Sequence, residues 1–234
     1  MKYISNVSLL VPALVLALAC LIVPSAKADL TGTLPLTAGA TVFPGIVPPG
    51  TNPGTLLAEE SEPFSFTTTG GTTSGFLDSA VYNDAGTLDF YYQVFNSASS
   101  ATALARMTAT SFVGFTTGTQ VGFRTDGGTL TGTPFVNGTV VPFTADMNSN
   151  GSVIGFSFNQ TDASKIAPGT DSNVLVISTD ATTFKAGNAS VIDGGTATVA
   201  SFQPTTVPEP RFYSLLLFAG FVAGAVYYRR FRAA

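Results

Sequence analysis

The chain has 234 residues, 10% charged and 45% hydrophobic, with 24 Gly, 14 Pro and a formal net charge of −4. So little charge beside so much Gly and Pro excludes a coiled coil, a charged disordered tail and an ordinary helical cytosolic enzyme. His and Trp are absent and Cys occurs once, so Ser-His-Asp and Cys-His nucleophile systems are excluded and the commonest zinc ligands are missing.

The chain opens with a secretory pattern. Lys2 supplies a positive start, and residues 9–23 form an apolar run interrupted only by Pro12 and Cys20. Ala26 and Ala28 then place small residues where a signal peptidase reads them, so residues 1–28 are expected to be a signal helix cleaved before Asp29. As a retained anchor the run is short. Leu21, Ile22 and Val23 continue it past Cys20, which argues against a lipid-bearing cysteine. Cleavage removes the only thiol, which is coherent with export of a chain that needs no disulfide.

Residues 29–206 read as one all-β ectodomain. The 33 Thr of the chain fall among Val, Phe, Ser and Gly, a vocabulary of short strands and turns. Turn signals recur about every ten residues, as in a sandwich or barrel and unlike β-α-β units. Residues 43–54 are Pro- and Gly-rich and are expected to be a surface linker or edge loop. Phe64 and Phe66 alternate along an expected strand at 63–68. The turn Asn83-Asp84-Ala85-Gly86 predicts a hairpin between residues 75–82 and 87–96. In its second arm Leu88, Phe90, Tyr92 and Val94 share one face and Asp89, Tyr91, Gln93 and Phe95 the other, so this strand is expected to be central and covered on both sides. Residues 97–103 fit either a short helix or a loop. Asn137-Gly138 between apolar arms predicts a second hairpin. Strands are expected at 152–158, 174–178 and 191–192, with Asp193-Gly194-Gly195 turning into 196–202 and residues 203–206 forming a stalk. No stretch of this region has a convincing helical period.

The tail has three parts in order. Val207, Pro208, Glu209 and Pro210 precede residues 212–228, which carry no charge, and Arg229, Arg230 and Arg232 close the chain. A helix of that length spans roughly 25 Å, enough for an untilted crossing of a bilayer core. The Arg cluster places the tail in the cytoplasm and the ectodomain outside, and Tyr213, Tyr227 and Tyr228 stand at interface positions. Gly220 and Gly224 form a lone Gly-x-x-x-Gly, a weak dimerisation signal.

Pro-Glu-Pro, apolar helix and terminal Arg cluster resemble the PEP-CTERM sorting signal of bacterial proteins, over residues 207–234. The resemblance implies recognition by an exosortase, a membrane-embedded cysteine protease or transpeptidase of bacteria that also make exopolysaccharide. It further implies retention in the inner membrane until processing near the motif. Two prolines keep that motif extended outside the bilayer, in a form a protease can grip. Residues 75–96, 168–172 and 175–202 resemble, more loosely, a passenger domain common in such proteins. This second resemblance implies a single β-sandwich and no activity. Leu34-Pro35-Leu36-Thr37 matches a sortase motif by coincidence, since no apolar span or basic cluster follows it directly. A GPI signal ordinarily lacks the terminal Arg cluster.

The ectodomain carries thirteen acidic against four basic residues, hence a net charge of −9, which disfavours nucleic acid and anionic glycans. Phosphate loops, dinucleotide fingerprints and Gly-x-Ser-x-Gly elbows are absent from the sequence. Asp146, Asn148 and Asn150, with Gly151 at the sixth position, match the first half of a calcium loop, but the twelfth position is Ser157 rather than Glu. A polar turn is the simpler reading. Glu59, Glu60 and Glu62 are candidates for a glycosidase carboxylate pair, against the simpler reading of a solvated loop. Asn137, Asn150, Asn159 and Asn188 begin glycosylation-type triplets that read as turns. Tyr82, Tyr91 and Tyr92 are expected to pack in or beside the core.

The expected architecture is thus a single jelly-roll-like β-sandwich between a signal helix and a membrane helix, without catalytic residues or cofactor. The expected role is an exported surface or matrix protein, structural or adhesive, whose partners are signal peptidase, exosortase, the inner membrane and matrix components such as exopolysaccharide. A glycan- or calcium-binding module is the alternative, and a polysaccharide-active enzyme comes third.

Overall fold

The computed structural model describes residues 30–206 and, beyond them, Phe218. The described residues form β1 (Leu34–Pro35), β2 (Thr41–Val42), β3 (Gly45–Ile46), β4 (Thr55–Thr68), β5 (Gly71–Asp84), β6 (Thr87–Asn96), β7 (Arg106–Thr110), β8 (Gln120–Arg124), β9 (Thr144–Met147), β10 (Val153–Ser157), β11 (Val174–Ser178), β12 (Thr183–Ile192) and β13 (Thr196–Thr205). Helix is confined, among them, to 3₁₀ turns at Gly127–Thr129 and Asp162–Ser164 and to Phe218. The fold is all-β. One sheet runs β1-β8-β11-β6-β5-β4, with β3 added to β8 in parallel, and the other runs β13-β12-β7-β10-β9-β2. All other pairings in both sheets are antiparallel.

The β5–β6 hairpin sets the register of the first sheet. Asp84 pairs with Thr87, leaving Ala85 and Gly86 as a two-residue loop with φ of 50° and 101°. Two successive positive φ values are what a type I′ turn requires, and its twist matches that of the strands. From this turn alternation runs as expected. Leu88, Phe90, Tyr92 and Val94 enter one buried cluster with Met107 and Ala109 of β7, Ile154 and Phe156 of β10, and Val191 of β12. The two sheets therefore share that core. Each large side chain fully buried there contributes roughly 1.5–3 kcal/mol. Tyr92 also ties the sheets together, since its hydroxyl donates to the Phe202 carbonyl on β13 at 3.0 Å. Tyr82, Tyr91 and Tyr92 are all buried.

The opposite face of the first sheet is covered too. Tyr91, Ala80, Tyr82, Val174 and Val176 form a second cluster with Leu30, Val47, Leu130 and Phe135, which come from two crossing segments. This is why β6 is buried nearly end to end.

Four expectations are corrected. Asn137-Gly138 is not a hairpin: residues 134–139 form neither strand nor turn, and Val140 bridges Ser172 in parallel. Of the two readings of residues 43–54, the linker fails, because β3 pairs with β8 and Val47 is fully buried, while the largely irregular segment fits the edge loop. The Glu-rich stretch is strand rather than solvated loop, since β4 begins at Thr55. Residues 203–205 are not a stalk either; they continue β13 to pair with β12, and Pro204 is buried opposite Phe184. Residues 97–103 are a loop.

Candidate functional site

The outer face of the first sheet carries a groove of about 390 Å³ lined by Ser61, Phe76, Asp78, Phe95, Pro134, Val136 and Asp171. Pairing across the hairpin places Phe76 opposite Phe95 and Asp78 opposite Gln93, while Ser61 of β4 faces Asp78 from the other side. The two phenyl rings stack with centroids 6.5 Å apart and an interplanar angle of 22°. Phe76 is 44% exposed, so an apolar shelf faces solvent. The far wall is pinned by Gln93, whose Nε2 donates to the Val136 and Ser172 carbonyls at 2.9 and 2.7 Å while its Oε1 accepts from the Val136 N–H at 2.9 Å.

Two carboxyls flank the shelf. Asp171 bridges Phe95 through the backbone, and Asp78 accepts from the Ser61 hydroxyl at 2.5 Å. Burial raises both above the ordinary aspartate range. For Asp78 the Ser61 hydrogen bond opposes the rise, and the nearby charges of Asp171 and Glu59 add to it. Flat apolar rings beside hydrogen-bond acceptors suit a ligand with an apolar face and hydroxyl edges.

The sequence-derived candidates fall elsewhere. Asp146 lies on β9 and is held by Arg106, whose Nη1 and Nη2 donate to its two oxygens at 2.5 and 2.8 Å. Arg106 Nη1 also donates to Ser157 Oγ at 2.7 Å, so a guanidinium stands between the first and twelfth positions of the calcium-like loop. Asn148 Oδ1 accepts from the Val153 N–H, and Asn150 Oδ1 from the Ser152 N–H and hydroxyl. All three candidates shape the β9–β10 turn. Among the described residues no cluster of three or more His, Cys, Asp or Glu side chains could hold a metal.

Glu59, Glu60 and Glu62 alternate along β4, so Glu59 faces away from the other two. Glu60 accepts from Ser79 Oγ at 3.3 Å. Placed on an edge strand beside Pro63, these charges discourage further strand addition. Leu34-Pro35 is spent on β1, and Leu36 is fully buried. Ala26, Ala28, Val207, Pro208, Glu209, Pro210, Arg229, Arg230 and Arg232 lie outside the described residues. Among the described residues no helix is long and apolar enough to cross a membrane.

Sequence reasoning missed the groove because Phe76 reads singly as a strand residue and Asp171 falls in none of the expected strands. The signal was nonetheless present, since the turn at Ala85-Gly86 sets Phe76 against Phe95 by register alone. No protein-family model, curated protein or solved structure matches this chain.

Proposed function

We propose that the chain is a PEP-CTERM-type exported protein, held by its C-terminal helix in the inner membrane, processed by an exosortase and displayed at the surface or in the matrix. The order Pro208-Glu209-Pro210, apolar run and Arg cluster supports the sorting step. The ectodomain is a non-enzymatic, adhesive β-sandwich. Repeated crossing between sheets, from β6 to β7 to β8 to β9 and from β10 to β11 to β12, supports the jelly-roll-like description.

The observation that favours adhesion is the Phe76–Phe95 shelf between Asp78 and Asp171. A neutral polysaccharide fits that chemistry: C–H faces cover the rings, and hydroxyls donate to the carboxylates. Acidic glycans are disfavoured by the two aspartates and by the ectodomain's net negative charge. The test is binding of the full-length chain in detergent micelles to immobilised neutral and acidic polysaccharides. Saturable binding to a neutral chain that Phe76→Ala reduces at least tenfold, without a change in melting temperature, is the expected result. Equal binding by the variant refutes the groove as contact site. Hydrolysis of the bound chain, abolished by Asp78→Asn, would make the protein an enzyme instead.

A further inference from the structure

β13 holds the chain to the domain up to its last residue. Thr205 pairs with Thr183, and Thr183 Oγ1 donates to the Thr205 carbonyl at 2.8 Å. Just before it, Pro204 is buried, and the Phe202 ring meets Phe184 edge-on with centroids 5.7 Å apart. The Phe202 carbonyl accepts from Tyr92. The chain thus leaves the sandwich at a fixed point. Pro208 stands three residues past Thr205 and Phe212 seven, so full extension carries them at most about 10 Å and about 25 Å away. Whatever grips the Pro-Glu-Pro motif does so within reach of this end of the domain.

Beside the exit stands the loop 111–119. A Cβ on Gly114 would lie 3.9 Å from Thr206 Cγ2. The loop carries no charge. Phe112 and Phe115 enter the shared core, and the Phe112 ring packs edge-on against Phe90 at 5.6 Å. The Ser111 N–H donates to the Ser152 carbonyl at 2.7 Å and the Phe115 N–H to the Phe112 carbonyl at 3.1 Å. The Thr119 hydroxyl donates to the Phe115 carbonyl at 2.6 Å. Between these anchors the backbone takes positive φ values, 72° at Ser111 and 95° at Gly114. A non-glycine residue keeps such a value only where its surroundings fix it. The loop is therefore stiff, and the large side chain it turns outward is Val113, 58% exposed. One exposed valine is ordinary; this one is presented by a stiff loop next to the point where the chain leaves. Exposed Asp180 stands beside it, since a Cβ on Gly118 would lie 2.7 Å from Asp180 Cγ.

We infer that this end of the sandwich, centred on Val113, is the surface on which the exosortase docks while it holds the motif. The assignment rests on the sorting reading above. The matching surface has an apolar recess for Val113 and a basic group opposite Asp180. Tethering favours the contact: with the motif in the protease cleft, Val113 meets the same protein at the high effective concentration of a short linker. A lipid surface suits the loop less well. Asp180 repels anionic headgroups, and residues 111–119 and 179–182 contain no Lys or Arg to attract them.

The experiment follows trimming of the full-length precursor by pulse-chase in bacteria that carry an exosortase. Four chains are compared with wild type: Val113→Glu, a Gly-Ser spacer between Thr206 and Val207, the two combined, and Val141→Glu. A spacer of about ten residues adds roughly 18 Å of root-mean-square reach. Val141 is 52% exposed but remote from the exit. Phe143, two residues on, donates its N–H to the Ser157 carbonyl. Ser157, Arg106, Ile192 and Thr196 share one register level, and Thr196 is nine residues, or roughly 30 Å, from Thr205. Val113→Glu should slow trimming about tenfold, the worth of burying one valine. The spacer should slow it similarly, the combined chain no further, and Val141→Glu should match wild type. Both valines are exposed, so neither substitution should move the melting temperature. Trimming of Val113→Glu at the wild-type rate overturns the docking surface. Faster trimming of the spacer chain overturns it too, since the folded end would then obstruct the protease, and so does equal slowing by Val141→Glu. In each of these cases the sorting reading stands. Absence of trimming in both the wild-type and the spacer chain would instead refute the sorting reading, and this surface with it.

Discussion

Gly138 is where a single methyl group should do most damage. Its backbone is not left-handed, so alanine meets no torsional objection there. The objection is spatial. A Cβ at Gly138 would lie 1.8 Å from the Ser172 carbonyl oxygen, 2.4 Å from its carbon and 2.8 Å from the Asn173 nitrogen, all backbone atoms. Relief to ordinary contact requires the 134–140 segment to lift by roughly 1 Å or more. That segment is held by the Thr139 and Val140 N–H groups donating to the Asp171 carbonyl at 3.1 Å each, and by the Asn173 N–H donating to the Val140 carbonyl at 2.8 Å. Losing three such bonds costs about 3 kcal/mol. For a domain of this size that corresponds to a melting temperature lower by about 6–12 °C. Near-ultraviolet circular dichroism of the buried tyrosines, followed through thermal unfolding of Gly138→Ala, reads the effect. The Asn137→Ala chain is the control, losing only the bond from the Gly128 N–H. A Gly138→Ala chain within 0.5 kcal/mol of wild type, on the order of a surface substitution, refutes the close-approach reasoning.

Gly138 also shows how far sequence reasoning reaches. Asn-Gly between Phe135-Val136 and Val140-Val141 carries the local signature of a turn, but the chain spends it on a close crossing over β6 and β11. The Gln93 side chain and the backbone of Asp171 anchor that crossing, and both residues are remote in sequence. The β5–β6 hairpin was legible because turn chemistry and alternation agree over the same twenty-odd residues. The inner faces were legible for the same reason: Phe90 and Tyr92 repeat every second residue. The covering of the outer face was not, because Val47, Leu130 and Phe135 sit in Pro- and Gly-rich stretches without a period. The groove lies beside that cover, with Pro134 and Val136 in its wall. Arg124 and Asp126, two residues apart, look in sequence like ordinary surface charges, and only the cover turns them into a buried pair.

Two further expectations concern the anchor and the groove. Neutralising Arg229, Arg230 and Arg232 together should weaken orientation and retention, giving an unprocessed or mislocalised precursor on fractionation and blotting; delivery and trimming like the wild type would refute the sorting proposal. The pH response of stability should carry the mark of the groove carboxyls. Burial raises Asp78 and Asp171 in the groove, and Glu60 on the other face of β4, above their ordinary values, so the folded chain holds these protons more tightly than the unfolded one. Stability from these groups is therefore greatest in acid and falls as pH rises from the ordinary carboxylate range through the raised folded values. Asp126 acts in the opposite sense: burial pushes its carboxyl up, but the bonds from Arg124 and the Gly50 N–H outweigh it, and the lowered value withdraws stability only as pH falls through it. Asp78→Asn removes one of the raised groups and keeps an acceptor for the Ser61 hydroxyl, which bonds to Oδ1 in the wild type. It also relieves the repulsion with Asp171 and Glu59. Its denaturant midpoint, measured from acid to neutral pH, should fall less steeply than that of wild type and stand at or above it near neutrality. A variant curve that runs parallel to wild type at every pH would mean that Asp78 titrates as if exposed, and that the groove does not withdraw its carboxyls from water.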